Sequence, residues 1–368
     1  MTGADATHRM LADSVRRGLE DTATPAATVA AEREGLDRAS WARLRELGLV
    51  GPDAAALALR EHAAIATALG ETAALVPFVD SEALARWVAS GAGLLTRDDE
   101  TLAVVSLAGE RGDAAGLAAR LRARSVKWGR HADRVVVVVD EGARAFAGLI
   151  DRDSLRLAPG SNLAGEPLDR CGADSIPAIS WSRLPASHGP GALQRRGALL
   201  RVAAMLGAAT RLQSLTIEYA GDRRQFGKSL SQFQVIQSHL AAQAGEIAAV
   251  GAMLETAIAA AEAAASAVAG AAAGDRDAPK GFGVGTDWDG AEIAAAKVRA
   301  GVAVQALAGI AHQVHGAIGF TREHSLHLFS RRLWAWREEY GNDAHWSGVL
   351  GAALIALGPE GFWRRIAR

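Results

Sequence analysis

The chain has 368 residues, 40 basic and 41 acidic side chains, and a formal net charge of -1. Near-zero charge excludes a binder that works by neutralising nucleic-acid phosphates, and the length suits two or three domains with a sizeable core. A lone cysteine, Cys171, excludes a fold stapled by internal disulfides.

The sequence carries 82 alanines and 4 lysines against 36 arginines, a compositional bias without functional meaning of its own. The N-terminal stretch, Met1 to Ser14, is polar and lacks the apolar core of a signal peptide. The longest apolar run, 257–273, is rich in alanine and broken by Glu262 and Ser266. It reads as a packed helix rather than a membrane span. The expectation is a cytoplasmic protein with no membrane insertion and no nucleic-acid partner.

The first hundred residues read as helices. Trp41, Leu44, Leu47 and Leu49 stand near helical spacing, and Gly48 suits the position just past a helix end. The runs 54–70 and 81–90 are two more helices, separated by Pro77. Next come short β-branched runs: Leu102 to Leu107 and Val135 to Val139, with further strands over 145–150, 155–157 and 176–180. Pro185, Gly189, Pro190 and Gly191 mark a linker. The helical period then returns over 192–222, 231–273 and 291–315, with a Gly-rich loop over 271–289 and a short last helix from Leu350. The fold class read from this order is α+β, mainly α. Its domains are an N-terminal helical domain (1–99), a small middle β domain, barrel or sandwich (100–187), and a C-terminal long-helix bundle (188–368).

No G-x-G-x-x-G follows a strand, and there is no P-loop or nucleophile elbow. His312 and His315, like His324 and His327, are spaced i, i+3, but no third ligand has a clear spacing, so no metal is expected. Trp334, Trp336 and Trp346 read as core or interface.

Two segments carry more. Arg223-Arg-Gln-Phe-Gly227 is followed by Phe233-Gln234 at the start of a long helix. Gln313-Val-His-Gly-Ala-Ile-Gly-Phe320 is followed by the charged stretch His327 to Arg332. Both resemble signatures of the acyl-CoA dehydrogenase family and occur in the family's order. Trp41 to Gly48 and Ala132 to Val136 are further echoes. The resemblance implies an acyl-CoA dehydrogenase-like fold of α-bundle, β domain and α-bundle, with FAD as cofactor and an acyl-CoA as substrate. It implies a tetramer, and an electron-transfer flavoprotein or similar acceptor. By the motif match, Arg223 contacts the FAD pyrophosphate of a neighbouring subunit, a task suited to its planar fork. Phe226 and Gln234 lie on the adenine side. Gln313 and the backbone at Val314, His315, Gly316 and Ala317 approach the ADP part.

Family chemistry also needs a carboxylate that removes the α-proton while the flavin takes the β-hydride. One family position for that base falls on Tyr340, or on Glu339 after a slip of one residue, with Glu338 beside it. A phenol with a pKa near 10 is a poor base at neutral pH. The other position falls on Gly197, and no carboxylate occurs between Asp174 and Glu218. Glu339 is thus the one weak candidate. The loop that holds the flavin ring in the family matches poorly at Ser106 to Gly116, and its next strand is replaced by Ser125 to Gly129. The resemblance therefore points to the subunit without a base in an α2β2 heterotetramer, of the kind that dehydrogenates steroid side-chain CoA esters. Two alternatives stay open: a self-sufficient homotetramer using Glu339, and a structural or regulatory paralogue without flavin.

Overall fold

The computed structural model describes residues 3–172, 176–272 and 290–366. The loop expected over 271–289 lies, beyond its first two residues, outside that set. The chain forms two units, Met1–Leu200 and Arg201–Arg368.

The first unit begins with helices α1 (Gly3–Leu19), α2 (Pro25–Glu34), α3 (Arg38–Glu46), α4 (Pro52–Ala55) and α5 (Leu59–Thr72). Their ends follow local chemistry. The Asp37 carboxylate accepts from Ser40 N and starts α3, while Gly48, at φ +71°, takes the left-handed turn just beyond it. After Pro77 the chain makes a π-helical stretch, Val79–Arg86, continued by α6 (Trp87–Gly91). All eight residues of that stretch are buried. The Glu82–Arg86 pair within it is fully enclosed at 2.7 Å, and Arg86 also donates to the carbonyls of Arg97 and Glu100. Satisfying the guanidinium in this way is what makes the buried charge tolerable.

Two open sheets follow. Strands β1 (Leu102–Ala108), β3 (Arg134–Asp140), β4 (Ala145–Asp151) and β7 (Ser182–Leu184) pair in the order β1-β3-β4-β7, with β1 parallel to β3. Strands β2 (Ser125–Lys127), β6 (Leu168–Gly172) and β5 (Arg156–Ala158) form the second sheet. Neither closes, so the middle region is not a barrel. The strand expected over 176–180 is absent. Pro177 lacks a ladder donor, and Ser182–Leu184 pairs with β4 instead. A helix absent from the sequence reading, α7 (Ala114–Arg122), is capped by Asp113 and packs Leu117, Ala118 and Leu121 into the core with Val135, Val137 and Val139.

Helix α8 (Pro190–Asp222) starts in the first unit and continues in the second. In the first, Arg196 donates to Ala83 O at 2.8 Å. The second unit adds a small hairpin, β8 (Arg224–Gln225) and β9 (Lys228–Ser229), and helices α9 (Gln234–Ala272), α10 (Ala291–His315), α11 (Leu326–Glu338) and α12 (Asp343–Ile366). α12 starts earlier than expected and kinks at Gly358 before Pro359. Gln243 on α9 donates to Leu307 O on α10 inside the core. Small residues set the spacing at one point: a Cβ on Gly301 would collide with the Asp343 carboxylate. Two stretches, 234–267 and 291–320, are long and apolar enough to cross a membrane by length and composition. Their apolarity is largely that of alanine in bundle helices.

Candidate functional site

In the second unit one stripe of α10 forms the wall of a cleft. Gln305, Ala308, Gly309, His312, Gln313 and Gly316 recur at helical spacing along it. With Ala317, Phe320 and Trp334 they line an open cleft of about 920 Å³. That volume suits a nucleotide-sized ligand, and no formally charged side chain lines it other than the ionisable His312.

The cleft is shaped by how α10 ends. Gly316 takes φ +60° and ψ −141°, a conformation that L side chains avoid, and starts a short 3-10 turn, Gly316–Phe320. The turn brings Phe320 back onto His312, with ring centroids 4.5 Å apart and planes at 24°. His312 Nε2 lies 3.1 Å from Ser330 Oγ, and its buried Nδ1 has no hydrogen-bond partner. Burial pushes the His312 pKa below its ordinary value. The ring is therefore neutral at pH 7, apolar in body with one unused nitrogen.

Of the motif residues, Gln313, Gly316 and Ala317 line this cleft. Val314 and His315 point elsewhere: both are buried, and His315 stacks on Tyr219 at 4.5 Å. The sequence reading missed Gln305 and missed His312, Phe320 and Trp334 as cleft residues. The i, i+3, i+4, i+7 spacing from Gln305 was the available signal. Arg223, Phe226 and Gln234 are not among the lining residues. Arg223 sits at the end of α8 before the β8–β9 hairpin and is exposed. Phe226 holds φ +52° at the hairpin tip and is 92% exposed. Gln234 opens α9 and is exposed. All three are exposed, and the Phe226 ring has Phe233 of its own chain 6.4 Å away, edge to face.

The base candidate is bound up in structure. Arg201 Nε lies 2.7 Å from Glu339 Oε2, with the two side chains 4% and 14% exposed. The Arg201 guanidinium also lies 5.6 Å from the Trp336 ring centre and 5.9 Å from that of Tyr340. Buried Lys297 donates to Trp336 O at 3.2 Å and Arg337 O at 2.6 Å, capping the C-terminus of α11. Burial lowers its pKa to about 8 against the pull of nearby carboxylates. Tyr340 takes φ +54°, and its carbonyl accepts from Trp346 Nε1 at 3.0 Å. Glu338 is exposed. Gly197 lies buried on α8 without a side chain to act.

In the first unit the segments aligned with the flavin-ring loop serve packing. Gly116 lies inside α7. Trp128 is 1% exposed and donates its indole N–H to Asp80 at 3.1 Å. Lys127 Nζ stands 3.7 Å from Asp80 and 3.6 Å from Glu166. Among the described residues no group of three or more His, Cys, Asp or Glu could hold a metal ion. Cys171 is buried.

Residues 195–344 match the family model of the acyl-CoA dehydrogenase C-terminal domain. Acyl-CoA dehydrogenase IpdE2 of Mycolicibacterium smegmatis is 28% identical over 169 residues, which are 44% of this chain and 46% of that protein. The matched part thus spans about half the relative's length. The ChsE4-ChsE5 complex of Mycobacterium tuberculosis superposes with a TM-score of 0.75 at 20% identity, covering 98% of this chain and 99% of the other. The Tcur3481-Tcur3483 steroid acyl-CoA dehydrogenase, solved as a variant, gives 0.73 at 21% identity over 96% and 99%. At such identities these two likenesses speak for the fold.

Proposed function

We propose that the protein is one subunit of a heteromeric, FAD-dependent acyl-CoA dehydrogenase: residues 195–344 match the model of that family's C-terminal domain, and the chain superposes on a solved complex, ChsE4-ChsE5, at a TM-score of 0.75. It supplies FAD contacts, and a paralogous partner supplies the base. When bound, FAD provides the hydride acceptor. Here Gln313, Gly316 and Ala317 hold the ADP end, and Arg223 and Phe226 reach the cofactor site of a neighbouring subunit.

The observation that carries this reading is the state of the base position. Of the two carboxylates beside it in sequence, Glu338 is exposed and Glu339 is ion-paired with Arg201 and largely enclosed. A carboxylate engaged by a buried guanidinium and largely enclosed suits structure better than proton abstraction. The exposed hairpin supports the partner. A phenyl ring 92% exposed at the end of a bundle is a feature of surfaces that become covered. Helix α9 supports it too, since only 22% of its most apolar window is buried. Both solved heteromeric complexes of this fold favour a second, different subunit, and the steroid enzyme among them suggests a bulky polycyclic acyl-CoA.

The test is co-expression with a paralogue that carries an intact base, followed by flavin absorbance and turnover with a steroid side-chain CoA ester. The complex should be yellow and active, and the lone chain inactive. Flavin-dependent turnover by the lone chain, abolished in Glu339→Gln, would instead establish the self-sufficient homotetramer.

A further inference from the structure

We propose that the cleft between α3 and the Gly129–His131 turn in the first unit is a binding site for a compact, multiply charged phosphate ligand of the pyrophosphate or nucleoside diphosphate type. The cleft has a volume of about 510 Å³, and Arg38, Arg45, Arg130, His131, Arg152 and Asp133 supply its charged and ionisable lining. Four guanidinium groups meet one carboxylate there.

The groups differ in how far their own fold satisfies them. Arg130 is pinned: it donates to Gly160 O at 3.0 Å and to fully buried Asp169 at 2.5 Å. Asp133 accepts from Thr101 N at 2.7 Å, which turns one oxygen toward the sheet. Arg45 donates to the carbonyl of Asp99 at 2.7 Å and lies 5.9 Å from the Trp41 ring centre, with no carboxylate partner among the described residues. Arg38, two turns earlier on α3, has none either. Arg152 meets Asp153, which is 92% exposed and so screens it weakly. Its Nε is buried without a partner, as is Nε2 of His131.

Like charges gathered without compensating carboxylates are costly to hold together. Here two such guanidinium groups, Arg38 and Arg45, stand in one concavity with Arg130 and Arg152. Arginine forks match phosphate oxygens in pairs, so a ligand with several such oxygens engages the exposed forks of Arg38 and Arg45 together. The rigid Arg130 and the backbone-anchored Arg45 present the site already formed, which lowers the entropy cost of binding. Every lining residue precedes residue 195, so the site shares no residue with the C-terminal cleft.

Calorimetric titration of the full chain with inorganic pyrophosphate and with ADP tests this. One saturable pyrophosphate site per chain is expected. The Arg38→Gln/Arg45→Gln pair, both on the exposed face of α3, should weaken it by about tenfold or more, while Arg183→Gln should not. Tighter binding of ADP than of pyrophosphate identifies a nucleotide ligand, and equal binding identifies the phosphate group alone; both support the site. Absence of saturable pyrophosphate binding at low salt, or binding unchanged in a folded double variant, overturns it.

Discussion

Arg201 and Glu339 meet at 2.7 Å in the interior of the second unit, the arginine from α8 and the glutamate just past α11. Breaking a buried pair by removing one partner strands the other charge at a cost of about 3–5 kcal/mol. Arg201→Met is therefore expected to lower stability by that order, read as a shift in the urea midpoint. Glu339→Gln should also destabilise, yet leave turnover of the reconstituted complex within about twofold once folded protein is compared, if the proposed partner supplies the base. A selective loss of kcat by orders of magnitude in Glu339→Gln, with the midpoint unchanged, would reverse the roles assigned to the two residues.

Lys297 gives a pH signature to the same region. Its pKa falls from 10.5 to about 8 through burial. Between those values the unfolded chain keeps the proton and the folded chain does not, so this group makes stability rise with pH across the window. Below pH 8 the penalty for enclosing the charge is fully present. Relative to Lys297→Met, the wild-type protein should gain on the order of 2–3 kcal/mol between pH 8 and 10.5. Parallel stability curves for the two proteins across this range would show that Lys297 titrates normally. The variant also leaves the Trp336 and Arg337 carbonyls uncapped, so it should be the less stable protein at pH 10.

Much of this arrangement could be read from the sequence, and the divisions have physical causes. The long helices 190–222, 234–272 and 291–315 were plain because alanine and leucine repeat at one period over many turns. Strands β1, β3 and β4 were plain because Val runs have few other uses. Helix α7 was hidden because Gly116 and scattered charge interrupt a short segment, although Asp113 was a legible cap. The strand expected over 176–180 failed because pairing with β4, a nonlocal choice, decided which residues extend. The motif contains Gln313 and Gly316, which line the α10 cleft. The ion pair of Glu339 was not legible: Arg201 lies far away in sequence, and only packing brings α8 beside the end of α11.

Phe226 offers a test of the covered surface. At 92% exposure its ring contributes little to the fold of its own chain, so Phe226→Ser should change the stability of the isolated protein by no more than about 0.5 kcal/mol. In the assembled complex the same change removes an aromatic anchor, and anchors of this kind are worth about 2 kcal/mol or more. Sedimentation or mass photometry should show subunit affinity falling by at least about tenfold. A melting temperature lowered in the lone chain, with assembly unaffected, would place the ring inside the monomer's own structure.

Gly316 separates conformation from space. A Cβ there meets no atom within 4 Å, so crowding is not the obstacle. The obstacle is φ +60° with ψ −141°, a region where a side chain costs about 1–3 kcal/mol. Gly316→Ala should therefore either destabilise the second unit by that amount or relax the turn that carries Ala317 and Phe320. The Phe320–His312 stack at 4.5 Å depends on that turn, and so does the mouth of the cleft. Flavin content of the assembled protein should fall along with stability, whereas Gly309→Ala should lower flavin content alone. Gly309 lies in the interior of helix α10 with open space beside it, and alanine is the better helix former there. Full flavin occupancy in both variants would remove the α10 cleft from the cofactor site.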